Sequence, residues 1–462
     1  MSEKNTELDN LSVDITSIDP VIYGRADHNV SRENIDESAL KVLYRLHKAG
    51  YQAFLVGGAV RDLILGEHPK DYDVATDATP EQVKDLFKNC RLIGRRFRLA
   101  HIHFGREIVE VATFRGHHEQ AENESEGSTR DGMIVRDNVF GTLAEDAWRR
   151  DFSVNALYYN IADFTVVDYT GGMADLKDKR LRMIGDANVR CQEDPVRMLR
   201  AIRFGAKLGF QPDADMVQAI ASQGHRIEAV PPARLFDEVL KLFMSGHANS
   251  TFDLLMEYDL LAELFPATAK HLSEHAQMNN FIAQACKNTD QRIADGKSVT
   301  PAFLFAFMLW GPTFTRAMEF ESNNMSPIQA LQEAGRAVLN QESGQISIPK
   351  RFRLPVREIW TSQARLQNRR GRRPYALLGQ PRFRAAYDFL LLRCQSYEPE
   401  LQSLCEWWTE FQVADEKQKK VMCQALHQAR QGQKPRRPKK KKTRQKVSQS
   451  STDVHSDRSS DT

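Results

Sequence analysis

The feature that most constrains this chain is a short apolar run, Phe54-Leu55-Val56, which breaks at Gly57-Gly58 and reopens as Ala59 to Leu65 before Gly66. Such a run predicts a buried strand, the paired glycines a tight turn, and the next stretch a short helix. A helix is predicted over Glu37 to Ala49, where Leu40, Leu43 and Tyr44 keep helical spacing and Gly50 follows. It feeds the strand. A glycine turn opening onto a helix aims backbone N–H groups outward, where phosphate oxygens can bind.

Asp71 to Ala75 predicts a second strand, which puts Asp71 and Asp73 on one face. Two carboxylates that close repel each other, and one tends to stay protonated unless a cation joins them. Mg²⁺ suits the pair, because hard cations prefer anionic oxygen. An Asp-x-Asp pair alone signifies little; after Gly57-Gly58 it points to a metal-held triphosphate. A two-metal site for in-line nucleotidyl transfer asks for a third carboxylate. Glu110 is the candidate, because its alternation with Val109 and Val111 places it opposite those apolar side chains, with Glu107 as runner-up.

Further strands are expected at Arg91 to Ile93, Ile108 to Thr113, Ala156 to Ile161 and Val166 to Asp168. A helix is expected from Pro80 to Phe87, with Thr79 as its cap. His117 to Arg130 is acidic and poor in apolar residues, and is expected to form a mobile loop. From Asp194 the periodicity is helical almost throughout, including Pro195 to Leu208, Leu235 to Phe243 and Phe252 to Leu264. The expected class is α+β: a mixed-sheet head, then an all-α remainder. The divisions read as a disordered segment 1–35, head 36–170, helical neck 171–265, helical body 266–433 and a disordered basic tail 434–462.

Two arginine-rich clusters could meet a nucleotide. Arg149-Arg150-Asp151-Phe152-Ser153-Val154-Asn155 sets guanidiniums beside polar groups, which suits phosphate and ribose; an ordinary cap with surface arginines is the plain alternative. In Glu193-Asp194-Pro195-Val196-Arg197, Asp194 opens a helix and Arg197 lies a turn later. A carboxylate accepts from an exocyclic amine and a guanidinium donates to a ring nitrogen. Adenine and cytosine offer that pattern, whereas guanine and uracil would leave polar groups unpaired. The pair does not separate A from C, and a cap with a salt bridge would look the same in sequence.

Charge points to RNA. The net charge is +3, yet Lys434 to Lys446 alone holds nine Lys and Arg, so the rest of the chain is net acidic. Arg436, Arg437, Lys439, Lys440, Lys441 and Lys442 form a flexible polycation suited to phosphate. Lys350 to Arg373 carries nine Lys and Arg against one Glu, including Lys350, Arg351, Arg369, Arg370, Arg372 and Arg373, with Phe352 and Trp360 between them. That stretch is either an RNA-facing surface or a solvated helix face. The six cysteines include no Cys-x-x-Cys pair, so no disulfide framework or zinc knuckle is expected. No secretory pattern opens the chain and the apolar run Ala302 to Trp310 is too short to span a bilayer, so a cytoplasmic protein without an integral membrane segment is expected.

Taken together, Gly57 to Asp62, Asp71-Tyr72-Asp73, Arg149 to Asn155 and Glu193 to Arg203 closely resemble the class II nucleotidyltransferase superfamily. That group contains CCA-adding tRNA nucleotidyltransferases and bacterial poly(A) polymerases. The resemblance implies metal binding by Asp71 and Asp73, triphosphate contact by Gly57, Gly58 and Arg61, and base reading by Asp194 and Arg197. Arg200 and Arg203 belong to the same matching cluster. Leu92 to His101, Pro232 to Asp237, Ile348 to Arg351 and Pro381 to Asp388 look like the poly(A) polymerase branch. The implied activity is Mg²⁺-dependent addition of AMP from ATP to RNA 3′ ends, with RNA-decay proteins as further partners. CCA addition to tRNA is the alternative within the superfamily, and a catalytically dead RNA-binding platform the alternative outside it.

Overall fold

The structure, a computed structural model, describes residues 18–94, 98–116, 129–130, 133–134 and 140–431. Six strands come first: β1 Val21–Tyr23, β2 Ala53–Val56, β3 Asp73–Thr76, β4 Cys90–Ile93, β5 Leu99–Phe104 and β6 Glu107–Thr113. A small hairpin of β7 Thr129–Arg130 and β8 Met133–Ile134 precedes β9 Leu157–Asn160 and β10 Val166–Asp168. Eight of them form one sheet in the order β1-β10-β9-β2-β3-β6-β5-β4. All neighbours are antiparallel except β3 and β6, which makes the sheet mixed.

The two-residue alternation of strands explains the layers. Leu55, Val74 and Val111 point to one face, which α1 (Glu37–Lys48) covers with Val42, Leu43 and Leu46. Phe54, Val56 and Ala75 point to the other, where Phe114 and Tyr158 close a small second core. After β2 comes α2 (Gly58–Ile64); α3 (Pro80–Leu86) begins at a capping box in which Thr79 and Gln82 satisfy each other's backbone N–H. Then α4 (Leu143–Trp148) lays Ala147 on the second face. Next come α5 (Gly172–Lys177), α6 (Ala187–Glu193), α7 (Val196–Leu208), α8 (Ala214–Gln223) and α9 (Pro232–Phe243), followed by helices to Gln431. One apolar core runs from the sheet into these helices. A separate core around Leu366, Phe383, Trp408 and Phe411 holds the C-terminal helices together.

Several expectations are corrected. Residues 18–35 are not disordered: β1 extends the sheet beside β10, and Val30 and Ile35 are buried. Residues 1–17 lie outside the described part, as do 117–128 of the expected loop, whose last two residues form β7. The strand at Leu99–Phe104 was not anticipated, and the helix expected over Phe252 to Leu264 is divided at Asp259, which takes φ +56°. The run Ala302 to Trp310 includes most of a buried core helix, Pro301–Met308. No helix among the described residues is long and apolar enough to cross a membrane.

Candidate active site

The β2–β3 ladder ends where Val56 pairs with Asp73. Beyond Val56 the chain turns at Gly57 with φ +68°, a conformation that costs glycine little and other residues more. A Cβ on Gly57 would also lie 3.3 Å from Arg150 Nη1. The end of the ladder leaves Asp71 outside β3, which corrects the expected strand. Asp71 and Asp73 are nevertheless both exposed and line the same cleft, of about 1240 Å³.

Glu110 lies directly across from Asp73 in the parallel pairing of β3 and β6, and His101 of β5 lies across from Glu110 on the other side. His101 Nε2 is 3.4 Å from Glu110 Oε1. Val109 and Val111 are buried while Glu110 is exposed, as the alternation predicted. Glu107 also lines the cleft, but its Oε2 accepts from Ser38 Oγ at 2.8 Å, a tie between β6 and α1. Asp73 is open toward the cleft and surrounded by protein elsewhere. Loss of water, then Glu110 and Asp71, push its carboxyl up to about 6, against the opposing pull of Arg150.

Arg61 does not reach into the cleft. Its guanidinium is buried, donating to Asp62 Oδ1 at 2.8 and 2.6 Å and to Asn155 Oδ1 at 2.5 Å, above the Phe204 ring. It braces the turn from behind, because the first helical turn of α2 is packed against the sheet and α7. Lys207 from α7 joins it through Asp62 at 3.0 Å.

Arg150 is held in place by its neighbours. It donates through Nε to the Tyr158 hydroxyl at 2.8 Å and through Nη2 to Asp146 Oδ2 at 3.0 Å, while Tyr158 donates to Asp146 at 2.7 Å. Burial works against the charge on Arg150, but Tyr158 and Asp146 outweigh it and raise the guanidinium further above its ordinary value. Asp151 accepts from the Phe152 N–H at 2.9 Å, from Asn155 at 3.3 Å and from Arg200 at 2.6 Å. Burial would raise the Asp151 carboxyl; Arg200 reverses this and lowers it. Asn155 thus connects Asp151 to Arg61. Arg203 is half-buried beside Arg200, and its guanidinium is pushed down by desolvation first and by Arg200 second.

The side chains of Asp194 and Arg197 are not paired with one another, although the Arg197 N–H donates to the Asp194 carbonyl at 3.0 Å. Asp194 closes α6, accepts the Val196 N–H at 3.2 Å and binds Arg234 of α9 at 2.7 Å. Arg197 donates to Glu193 Oε2 and to the Arg190 carbonyl, both at 2.7 Å. Each therefore has a supporting partner of its own. The supports Asp146, Tyr158, Phe204, Arg190 and Arg234 were not singled out in the sequence. Asp146 on α4 lies four residues before Arg150, just past the helix end, and Arg190 three before Glu193, so both had a local signal; Tyr158, Phe204 and Arg234 come together with their partners through tertiary packing.

Of the basic stretch Lys350 to Arg373, Lys350, Arg351, Arg370, Arg372 and Arg373 are exposed, while Arg369 sits 5.6 Å over the Trp407 ring. The interleaved aromatics do not face outward: Trp360 is fully buried and donates to the Ala306 carbonyl, and Phe352 stacks on Phe236. Their apolar area belongs to the core, so the two aromatics do not join the exposed basic side chains of that stretch. Arg436, Arg437 and Lys439 to Lys442 lie outside the described residues.

Three family models match the chain: the poly A polymerase head domain over 53–182, a probable RNA and SrmB-binding site of polymerase A over 209–272, and the polymerase A arginine-rich C-terminus over 323–446. The chain is 49% identical over 430 residues to poly(A) polymerase I of Escherichia coli O157:H7, covering 92% of each protein. A CCA-adding enzyme of Bacillus pumilus is 35% identical, but over 49% of this chain and 54% of that one. Among solved structures, a tRNA-processing enzyme in an apo form superposes with TM-score 0.56 at 22% identity, covering 86% of this chain and 99% of that one, a likeness of fold. Kinship along nearly the whole length, and not only through the head, decides the branch: this chain belongs to the bacterial poly(A) polymerase I family.

Proposed function

We propose that this chain adds AMP from ATP to RNA 3′ ends without a template, with Asp71, Asp73 and Glu110 as the catalytic carboxylates. The observation that carries the reading is the row Asp73–Glu110, with Asp71 beside it, opening onto one cleft at the end of the Gly57 turn. The near full-length kinship with poly(A) polymerase I supports adenylate addition over CCA addition, whose relative matches only about half of the chain.

The crowding that pushes Asp73 up to about 6 is the condition a divalent cation relieves. One or two carboxylates completed by substrate phosphates suit Mg²⁺, which seldom needs an all-protein cage. Asp71 and Asp73, with Glu110 alongside, would hold the ions of a two-metal site, whose chemistry when bound is to stabilise charge on the attacking and leaving oxygens.

The chain's own residues do the rest. Gly57 and Gly58 give the triphosphate close backbone approach, and Arg150 faces that turn with its geometry fixed by Asp146 and Tyr158. Arg61, Asp151 and Asn155 keep the turn and the neck in register, with Arg200 as the link; Arg203 offers a half-buried cation. Asp194 and Arg197 read the base, each held by a separate partner. The RNA 3′ oxygen forms a bond to the α-phosphorus of ATP, the α–β anhydride bond breaks, and diphosphate leaves.

Lys350, Arg351, Arg369, Arg370, Arg372, Arg373 and the basic tail would hold RNA along its backbone. The division into a head that runs from β1 to residue 170, neck 171–265, body 266–433 and tail 434–462 accompanies this reading. So do a cytoplasmic location and contacts with RNA-decay proteins, supported by kinship with bacterial enzymes and by the match over 209–272. Primer extension with Mg²⁺ tests the reading, using an unstructured RNA and a tRNA ending before its CCA, with ATP, CTP or both. Long ladders with ATP alone are expected; a three-nucleotide stop on tRNA requiring both triphosphates would reassign the chain to CCA addition.

A further inference from the structure

We infer that Arg190 is a positioning residue that ties the base-reading arginine to the triphosphate arginine, so that the correct base and a correctly held triphosphate favour each other. This rests on the roles proposed above for Arg150 and Arg197.

The geometry is a single fork. Arg190 Nη2 donates to the carbonyl oxygens of Arg149 at 2.6 Å and Arg150 at 2.8 Å, at the C-terminal end of α4. Its Nη1 donates to Glu193 Oε2 at 3.0 Å, and the same oxygen accepts from Arg197 Nη1 at 2.7 Å. Arg197 Nη1 also donates to the Arg190 carbonyl, so Arg190 holds Arg197 directly through its backbone and, through the shared Glu193 carboxylate, with its side chain. A chain of direct contacts therefore runs from the peptide of Arg150 through one guanidinium to Arg197.

This arrangement is poor for stability alone. Arg190 is largely buried, its Nε has no hydrogen-bond partner among the described residues, and it shares one carboxylate oxygen with a second guanidinium. Loss of water and the neighbouring Arg197 charge push its own guanidinium down to about 10. An arginine capping the last carbonyls of α4 needs only the two carbonyl bonds. The shared Glu193 oxygen is what a cap leaves unexplained and a coupling strut requires. A planar fork spans two carbonyls and a carboxylate together, whereas an ammonium is a point donor.

The test uses the full chain with Arg190→Gln and, as the milder change, Arg190→Lys, each checked for folding by thermal melting. Initial rates are measured for ATP, GTP and UTP on one RNA primer. The expected result is a rise of about tenfold in KM for ATP with a smaller change in kcat. Discrimination of ATP against GTP and UTP should fall by a similar factor, which lowered stability by itself would not cause. Unchanged KM and discrimination in a folded variant, even with a lowered Tm, would reduce Arg190 to a helix cap and overturn the strut. If Arg190→Gln does not fold, Arg190→Lys decides by the same two readouts. Equilibrium binding of ATP and GTP is measured alongside: a wild-type chain that incorporates no AMP would refute the functional reading, while the binding ratio in the variants would still judge the strut.

Discussion

Asp73 and Glu110 stand opposite one another at the one parallel junction of the sheet, two acidic side chains brought together by the register of β3 and β6. Loss of water, with their repulsion added to it, holds the Asp73 carboxyl up at about 6. A carboxyl raised above its unfolded value is disfavoured in its ionised form by the fold, so at pH 7 without divalent cations Asp73 weakens the protein. Asp73→Asn is therefore expected to remove activity and yet to melt no lower than wild type in the presence of a chelator. Loss of the charge should reduce ATP incorporation by roughly a hundredfold or more, since metal-assisted charge stabilisation contributes several kcal/mol. Wild-type turnover in the variant would remove Asp73 from the site.

Gly57 offers a separate test, because its backbone and its neighbour both exclude a side chain. At φ +68° alanine is strained by about 1 kcal/mol, and its Cβ would meet Arg150 Nη1 at 3.3 Å. Arg150 cannot yield freely while Asp146 and Tyr158 hold it. Gly57→Ala should lower Tm by a few degrees, about 2 to 4 °C, and raise KM for ATP well beyond what that small destabilisation would cause. An unaltered KM would show that the turn does not carry the triphosphate.

How much of this was legible depends on the range of the interactions. Phe54 to Val56, Gly57 and the alternation around Glu110 were readable because strand period and glycine geometry are local. Asp71 was placed on a strand because its spacing from Asp73 fits one; the ladder ends at Asp73 because its partner, Val56, is the last residue before the turn. The resemblance assigns Arg61 to the triphosphate, and packing against Phe204 with bonds to Asp62 and Asn155 turns it inward. Trp360 and Phe352 alternate with basic residues in sequence, but helical phase turns them to the apolar side of that helix, which faces the core. Arg234 of α9, which binds Asp194, and Tyr158 of β9, which binds Arg150, come from other elements, where no local pattern reports contact.

Glu342 makes the clearest case for a stability effect outside the site. It is buried, its Oε1 has no hydrogen-bond partner among the described residues, and loss of water pushes its carboxyl up to about 8. The folded chain therefore keeps a proton that the unfolded chain releases above pH 4.5. Stability from this group is fully present below pH 4.5, declines as pH rises, and is lost as pH passes about 8. Glu342→Gln removes the ionisation and should flatten that decline, raising Tm at pH 8 by a few degrees, about 3 to 5 °C, while changing it little at pH 5. Parallel Tm profiles for the two proteins across that range would mean Glu342 does not titrate in the fold.

The basic tail should act on RNA grip and leave nucleotide choice alone. Each cation that neutralises a phosphate releases a counterion, contributing about −0.7 to the log–log slope of affinity against salt on a single strand. Lys434 to Lys446 carries nine cations, so engagement of half to all of them is worth a slope of roughly 3 to 6. Deleting residues 434–462 should flatten the measured slope by that amount and weaken binding most at low salt, where counterion release is most favourable. The ratio of ATP to GTP incorporation should stay as in the full chain, because the proposed base readers, Asp194 and Arg197, lie outside the deleted tail. Equal slopes with and without the tail would move the RNA grip to the exposed arginines Arg370, Arg372 and Arg373, and charge reversal at those positions would then carry the salt dependence instead.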